Sequence, residues 1–268
     1  MSKNSSSVIP NSFRYLLITI TFLLLSLSSN IFAQYLEQHR CDDGMWGFKD
    51  KKGSIIIDCT YDYAWNFSEG FAVVMKGDKY GFIDTAGEEM FGGFIFDDAD
   101  AFKDGFSIVT KGHKLGFIDT AGKEMFGGFI YNAAGDFREG FAVLQKGSKW
   151  GFINIRGEEM FGGFIFDEGW GFSEGFSAVR KGSKWGFINI RGEEMFGGFI
   201  FDDANWFSEG FSAVKKGDKL GFINVLGEEM FDGFVFDYAG NFFEGFARVG
   251  KDGRVFCINT NGKEVFCP

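Results

Sequence analysis

The segment from Lys146 to Asp167 recurs letter for letter from Lys181 to Asp202, at a spacing of 35 residues. Looser copies fill most of the remaining chain. Each copy is marked by a glycine that follows an aromatic residue or leucine: Gly47, Gly81, Gly116, Gly151, Gly186 and Gly221. In a last, degenerate copy Phe256 takes the place of this glycine. A period in this range is typical of proteins whose units cannot bury their own apolar surface and therefore stack on their neighbours.

One copy contains the alternation of strands rather than the period of a helix. Residues 176–180 and 185–190 alternate as two strands. Gly182-Ser183 between them fits a tight hairpin turn, because glycine reaches positive φ without a clash. A third strand begins at Glu193 and bends at Gly197-Gly198. We expect a three-stranded antiparallel meander, with a short fourth segment after the bend as an option, and very little helix.

Pairing through these turns predicts that both faces of the meander are apolar. The predicted pairs are Ala178 with Phe187, Phe187 with Phe196, Val179 with Gly186, and Ile188 with Met195. A sheet that is apolar on both faces has to be covered on both sides, most simply by the preceding and following units. The 38 phenylalanines would fill those interfaces. The predicted fold is an all-β repeat protein of about six 35-residue units, arranged as a β-propeller-like toroid or, alternatively, as an open β-solenoid.

The first 33 residues stand outside the repeat and are typical of a secretory signal peptide. Lys3 and Arg14 give a basic start, Leu16 to Leu27 is apolar, and Ala33 is a small residue suited to cleavage. The apolar run is short for a membrane span, which needs about 20 residues. We expect cleavage to leave residues 34–268 as the repeat domain, exported to the periplasm, the cell surface or the extracellular space, with no stable membrane span. An uncleaved N-terminal anchor is the alternative.

Charge argues against nucleic acid as a partner. The chain carries 27 basic and 37 acidic residues, and a surface this negative repels phosphate backbones and anionic lipid heads.

The four cysteines lie only in the first and last copies: Cys41, Cys59, Cys257 and Cys267. Export permits disulfides, and this placement at both ends suggests capping or closure. Four cysteines allow three pairings, and the sequence does not choose among them. If the array closes, a bridge should link the first copy to the last; free buried thiols are the alternative.

The string Lys149-Trp150-Gly151-Phe152-Ile153-Asn154 stands again at Lys184 to Asn189, and each is preceded by a Phe-x-Glu-Gly-Phe turn. This combination resembles the WG repeat family, also called KWG repeats. Tyr80, Leu115 and Leu220 depart from it by replacing the tryptophan. The resemblance implies a β-rich bacterial repeat protein, often exported and used for interaction, and it implies no catalytic residues.

No catalytic, cofactor-binding or metal site is predicted. His113 occupies a hairpin-turn position, and the sequence places no nucleophile with it or with His39. Acid pairs such as Glu193-Glu194 recur in copy after copy, as a solvated edge does, whereas a glycosidase needs two carboxylates in different environments. Asp97-Asp98-Ala99-Asp100 loosely resembles a calcium loop but lacks its glycine and distant glutamate. The acid of the Phe-x-Glu/Asp-Gly turn is interpreted as an acceptor for backbone N–H groups.

The connector before that turn is the segment that differs systematically among the copies. It reads Tyr63-Ala64-Trp65-Asn66, Asp98-Ala99-Asp100-Ala101, Ala133-Ala134-Gly135-Asp136, Glu168-Gly169-Trp170-Gly171, Asp203-Ala204-Asn205-Trp206 and Tyr238-Ala239-Gly240-Asn241. In a regular array these segments share one rim. Drift of unconstrained loops explains the variation, but exposed Trp65, Trp170 and Trp206 would suit a binding surface.

These observations favour an exported, non-enzymatic binding or scaffold module with an unknown protein or glycan partner and no cofactor. Two alternatives are a glycan-acting enzyme with a site at the rim or central channel, and a purely structural envelope protein.

Overall fold

Every regular element in residues 36–267, the part of the chain that the computed structural model describes, is a β-strand. The prediction of an all-β protein with very little helix is confirmed. The signal peptide predicted over residues 1–33 lies outside the described residues and stays a prediction.

The strands form seven antiparallel sheets, one for each repeat. They are β1 (Glu37–Arg40), β2 (Trp46–Lys49) and β3 (Ile55–Tyr61) in the first repeat; β4 (Tyr63–Ala64), β5 (Phe71–Lys76), β6 (Lys79–Asp84) and β7 (Glu89–Met90) in the second; β8 (Asp98–Ala99), β9 (Phe106–Lys111), β10 (Lys114–Asp119) and β11 (Glu124–Met125) in the third; and β12 (Ala133–Ala134), β13 (Phe141–Lys146), β14 (Lys149–Asn154) and β15 (Glu159–Met160) in the fourth. The fifth repeat contains β16 (Glu168–Gly169), β17 (Phe176–Lys181), β18 (Lys184–Asn189) and β19 (Glu194–Met195); the sixth β20 (Asp203–Ala204), β21 (Phe211–Lys216), β22 (Lys219–Asn224) and β23 (Glu229–Met230); and the seventh β24 (Tyr238–Ala239), β25 (Phe246–Lys251), β26 (Arg254–Asn259) and β27 (Glu264–Val265).

The chain divides into two compact units. Of the described residues, the first unit contains those up to Gly112 together with Ile118–Lys123, and the second contains His113–Phe117 and those from Glu124 onward. The choice between a toroid and an open solenoid stays a prediction.

The register between the two long strands of the fifth repeat agrees with the prediction. Ala178 pairs with Phe187 and Val179 with Gly186, because Gly182-Ser183 forms a two-residue turn in which Gly182 has a φ of 63°.

The register between β18 and β19 differs from the prediction by one residue. Phe187 pairs with Met195 and Ile188 with Glu194, so the predicted pairs Phe187 with Phe196 and Ile188 with Met195 are wrong. The cause is the side chain of Asn189. Its Oδ1 accepts N–H bonds from Arg191 at 2.9 Å and Glu193 at 3.1 Å, which closes a loop of three residues rather than two.

The connector supplies the fourth strand of the sheet, on the edge opposite to the one expected. Glu168 pairs with Arg180 and Gly169 with Val179. The segment after the Gly197-Gly198 bend makes only an isolated bridge, Phe201 with Trp185. The connectors are therefore partly strand rather than free loops.

Neighbouring repeats cover both faces of this sheet, as predicted. On one face the Phe187 ring contacts the Phe207 ring of the next repeat, with centroids 5.2 Å apart, and Phe187 is 1% exposed. On the other face Val179 and Ile188 pack in one cluster with Phe152 of the preceding repeat. The phenylalanines do fill the interfaces between these repeats.

The acid of the Phe-x-Glu-Gly turn links consecutive repeats. The Gly210 N–H donates to Glu174 Oε2 at 2.9 Å, and the Ser173 hydroxyl donates to the Phe207 carbonyl at 2.8 Å. The prediction that this acid accepts backbone N–H bonds is confirmed, and the donor belongs to the following repeat.

Each disulfide lies within a single repeat, one in the first and one in the last. Cys41 is bonded to Cys59, with Cα atoms 6.2 Å apart, and Cys257 to Cys267, with Cα atoms 5.2 Å apart. The expected bridge from the first repeat to the last is therefore wrong. Each sheet brings its own pair together: Cys59 lies in β3 and Cys41 follows β1 of the same sheet, while Cys257 lies in β26 and Cys267 follows its partner strand β27.

Candidate binding cleft lined by tryptophan side chains

The connectors of the fourth and fifth repeats enclose a cleft of about 330 Å³, to which the sixth repeat adds one tryptophan. Its lining is mostly aromatic and aliphatic with a few polar groups: Ala134, Gly135, Asp136, Arg138, Val143, Trp150, Gly169, Trp170, Gly171, Ser173 and Trp206. We refer to this set as the tryptophan cleft. All of it belongs to the second compact unit.

Trp170 is held firmly although its side chain is 39% exposed. Its backbone N–H donates to the Ala178 carbonyl at 2.9 Å, and its carbonyl accepts the buried Ser177 hydroxyl at 2.6 Å. Its ring lies nearly parallel to the ring of buried Trp185, with centroids 6.4 Å apart. The Trp206 ring meets Trp170 edge-on, with centroids 5.9 Å apart. The sheet therefore presents a preorganised aromatic surface to solvent.

Two glycines leave room beside Trp170. The other five connectors carry alanine where the fifth has Gly169. A Cβ at Gly169 would lie 3.6 Å from the Val143 side chain, and one at Gly171 would lie 3.5 Å from Arg138 Cδ. A larger side chain at either position would occupy part of the cleft.

Apart from the exposed carboxylate of Asp136, the polar side chains that line the cleft carry hydrogen-bond donors. Arg138 is exposed, and within residues 36–267 its guanidinium makes no hydrogen bond or ion pair. The same part of the chain provides no acceptor for the indole N–H groups of Trp150, Trp170 and Trp206. The Ser173 hydroxyl already donates to the Phe207 carbonyl.

The structure brings together two of the three tryptophans predicted as a rim. Trp170 and Trp206 contact each other and line the same cleft. Trp65 is a residue of the first unit, where it is similarly exposed at 37% and contacts Tyr63 and Tyr80, with centroids 4.4 and 5.7 Å away.

Sequence reasoning missed Trp150 and Arg138. Trp150 and Trp185 stand in identical framework segments, so the sequence gives no reason to distinguish them. The two have different surroundings, since Trp185 is 6% exposed and Trp150 is half-buried at the cleft. The signal that could have found the site is the connector Gly169-Trp170-Gly171, whose two glycines flank an exposed aromatic residue.

The acidic side chains considered for chemistry have structural partners. A hydrogen bond from Arg156, and then one from Asn154, lowers the pKa of Glu158 to about 2, which is opposite to the shift that a general acid requires. Asp97 pairs with Lys79 and accepts the Gly112 N–H at 2.5 Å. His113 is exposed in the turn between β9 and β10.

Residues 36–267 contain neither a candidate metal site nor a candidate membrane-spanning helix. No group of three or more His, Cys, Asp or Glu side chains there is placed to hold a metal ion. In the same residues no helix combines the length and the apolar character that crossing a membrane requires.

The family model described as "WG containing repeat" matches six consecutive segments, residues 46–80, 80–114, 116–150, 150–185, 185–219 and 221–254. No curated protein matches the chain significantly.

Solved structures resemble the chain at low sequence identity. A crystal structure of the eukaryotic initiation factor matches with a TM-score of 0.51 and 12% identity, over 86% of this chain and 72% of that one. Kluyveromyces lactis Hsv2p matches with a TM-score of 0.41 and 10% identity, over 72% of this chain and 71% of that one. PorZ, a surface component of the type-IX secretion system of Porphyromonas gingivalis, matches with a TM-score of 0.34 and 9% identity, over 84% of this chain and 38% of that one. At 12% identity, the first of these likenesses concerns the fold alone.

Proposed function

Since the chain belongs to the WG containing repeat family, we propose that it is an exported, non-enzymatic binding module whose recognition surface is the tryptophan cleft. The β-repeat fold is suited to this role, because near-identical framework strands carry connectors that differ from repeat to repeat.

The observation that carries the proposal is the fixed and exposed Trp170. Its backbone is bonded on both sides and its ring rests on Trp185, so little conformational freedom remains to be lost when a ligand binds. Exposed aromatic side chains held in this way are frequent anchors of binding sites, and Trp206 adds a second one beside it.

Export is supported by the two disulfides and by the signal-like residues 1–33. Disulfides persist in oxidising compartments, and these two use all four cysteines of the chain. The matching prediction is that native protein begins at Gln34, with residues 1–33 removed, as measured by intact mass. A native chain that still carries Met1 would contradict cleavage.

The test of the cleft compares matched tryptophan variants. The purified repeat domain is screened against arrays of glycans and peptides, and the dissociation constant of each ligand is measured by titration calorimetry. For a ligand of the cleft, the Trp170→Ala/Trp206→Ala variant should bind about thirtyfold more weakly or worse, because anchoring tryptophans commonly contribute about 2 kcal/mol or more. Trp65→Ala, which removes an equally exposed connector tryptophan outside the cleft, should bind like the wild type.

Circular dichroism and thermal melting of each variant are the controls. If the double variant stays folded and binds every identified ligand undiminished, the recognition surface lies elsewhere.

A further inference from the structure

We infer that the tryptophan cleft binds an acidic saccharide, a sugar unit whose carboxylate is held by Arg138 while its ring packs on the exposed indoles. This inference rests on the proposed function, because it names the ligand class of the same cleft.

Arg138 stands at a turn position that is serine in three of the other five copies, and Lys103 and Phe243 in the remaining two. The equivalent positions in three other repeats are Ser68, Ser173 and Ser208, and each hydroxyl donates to a phenylalanine carbonyl of the following repeat at 2.6 to 2.8 Å. The fourth repeat gives up this hydrogen bond and places a guanidinium in the cleft instead. Where a local rule of a fold is broken, the departure commonly marks a functional position.

Three differences from other repeats meet at this one cleft. Arg138 stands where serine is common, Gly169 where the other connectors carry alanine, and Gly171 where no other connector has glycine. Together they supply a cation and open space beside Trp170.

The available groups define what the ligand has to offer. Within residues 36–267 the guanidinium of Arg138 and the indole N–H groups of Trp150, Trp170 and Trp206 lack acceptors, so the complementary ligand is rich in acceptors. Arginine binds carboxylates in a bidentate fashion, which adds geometry as well as charge. The exposed faces of Trp170 and Trp206 require an apolar face on the same ligand. An acidic sugar meets both requirements, because its carboxylate and hydroxyl groups accept hydrogen bonds and the C–H face of its pyranose ring is apolar.

The backbone geometry favours a saccharide over a peptide. A peptide bound along a β-structure draws much of its affinity from main-chain hydrogen bonds. Here the Trp170 and Gly135 N–H groups already donate to the Ala178 and Val143 carbonyls at 2.9 Å. The Trp170 carbonyl accepts the Ser177 hydroxyl. With these connector groups occupied, recognition falls to side-chain donors and ring faces, which suit a hydroxylated ligand.

The size of the cleft fits one small ligand or one unit of a longer chain. Its volume of about 330 Å³ is at the lower end of the range for ligand pockets. Its open side leaves room for a neighbouring sugar, and short oligomers are the appropriate probes because a long polyanion would be repelled by the net negative charge of the chain.

The experiment uses hexuronic acid oligomers of the gluco and galacto configurations, each beside its neutral methyl ester. The wild-type domain should bind at least one acidic oligomer tenfold or more tightly than the ester, and the difference should shrink at high salt. Arg138→Ser, which restores the serine of other repeats, should abolish the difference without lowering the Tm. Arg138→Lys should keep part of the difference in affinity between acid and ester. Trp170→Ala should lower the affinity for both oligomers, and Trp65→Ala should change neither affinity.

The outcomes separate the inference from the proposed function. Equal binding of acid and ester would contradict the acidic saccharide as ligand. So would the absence of binding by any acidic oligomer at millimolar concentration while a peptide binds in a Trp170-dependent way. In either case the cleft remains the proposed binding site. If the ligands that bind are insensitive to Trp170→Ala in a folded variant, the proposed function fails, and this inference fails with it.

Discussion

Trp170 and Trp185 stack with ring planes inclined by only 12°. Trp185 is buried in a framework strand and Trp170 stands in a variable connector, so the framework of this repeat supports a connector residue. The hydroxyl of Ser177 completes this support by donating to the Trp170 carbonyl.

Ser177→Ala should therefore weaken ligand binding at the cleft several-fold while the domain stays folded. Removing the buried hydroxyl leaves the Trp170 carbonyl without that donor, at a loss of about 1 to 3 kcal/mol in unfolding free energy. The same alanine occurs naturally at Ala72, Ala142 and Ala247, so the backbone tolerates it. The dissociation constant and the Tm are measured together.

Ser107→Ala is the matched control. Its hydroxyl makes the same bond to the Asp100 carbonyl at 2.7 Å, in a connector without tryptophan. It should reduce stability by a similar amount and leave binding unchanged. Equal binding by Ser177→Ala and wild type would show that this bond does not position Trp170 for recognition.

Phe187→Ala should reduce the unfolding free energy by about 3 to 5 kcal/mol, because the ring lies among Phe196, Phe201 and Phe207 and leaves a cavity when removed. Denaturant titration measures the loss. Ile190→Ala, at a side chain that is 52% exposed, is the control and should have a small effect. A loss below about 1 kcal/mol for Phe187→Ala would mean that the next repeat does not cover this face.

The sequence predicted the strands and the long hairpin because these depend on local chemistry. A two-residue turn at Gly182-Ser183 fixes Ala178 opposite Phe187 without reference to the rest of the chain. The pairing of Phe187 with Met195 could not be obtained in this way, because it depends on which N–H groups the Asn189 side chain accepts.

The cleft was only partly predictable for a different reason. Trp150 and Trp185 stand in identical segments, and only the connectors packed around them in three dimensions make one part of a site and the other part of the core. The exposure of Trp170 and Trp206 could be expected from the variability of the connectors; their contact with each other could not.

Peptide mapping under non-reducing conditions should recover Cys41 joined to Cys59 and Cys257 joined to Cys267. Both loops are short, with sequence separations of 18 and 10, so the chain-entropy argument gives each bridge a comparable stabilisation of about 3 kcal/mol. The Cys41→Ser/Cys59→Ser and Cys257→Ser/Cys267→Ser variants should each lower the Tm. Recovery of a peptide that joins the first repeat to the last would contradict the pairing.

Acid should destabilise the protein through a recurring aspartate. Hydrogen bonds from Lys149 and from the Gly182 N–H lower the pKa of Asp167. The equivalent lysines and backbone N–H groups lower the pKa values of Asp202 and Asp237. Since the folded pKa lies below the unfolded value of about 3.9, this stabilisation is present above that pH and is lost as the pH falls through the folded pKa.

The variant Asp167→Asn/Asp202→Asn/Asp237→Asn should be less stable near neutral pH and should lose less stability between about pH 5 and pH 2. The substitution is compatible with the turn, since Asn132 naturally accepts the Gly147 N–H at 2.9 Å in the fourth repeat. Calorimetric Tm values across this pH range are compared with the wild type, which shares every other carboxylate. An unchanged pH slope would assign acid sensitivity to other groups.

Gly227 should tolerate alanine much less well than Gly217, although both have positive φ values, 80° and 62°. Strain from an L-residue at positive φ is common to both variants, at about 1 to 2 kcal/mol. A Cβ at Gly217 has no heavy atom within 4 Å, whereas a Cβ at Gly227 would lie 2.5 Å from the Phe196 ring of the preceding repeat. In denaturant titration, Gly227→Ala should therefore lose about 1 to 3 kcal/mol more unfolding free energy than Gly217→Ala, because the added methyl group overpacks the contact between repeats. Equal losses in the two variants would mean that Phe196 moves aside freely, and that this aromatic contact does not fix the spacing of one repeat on the next.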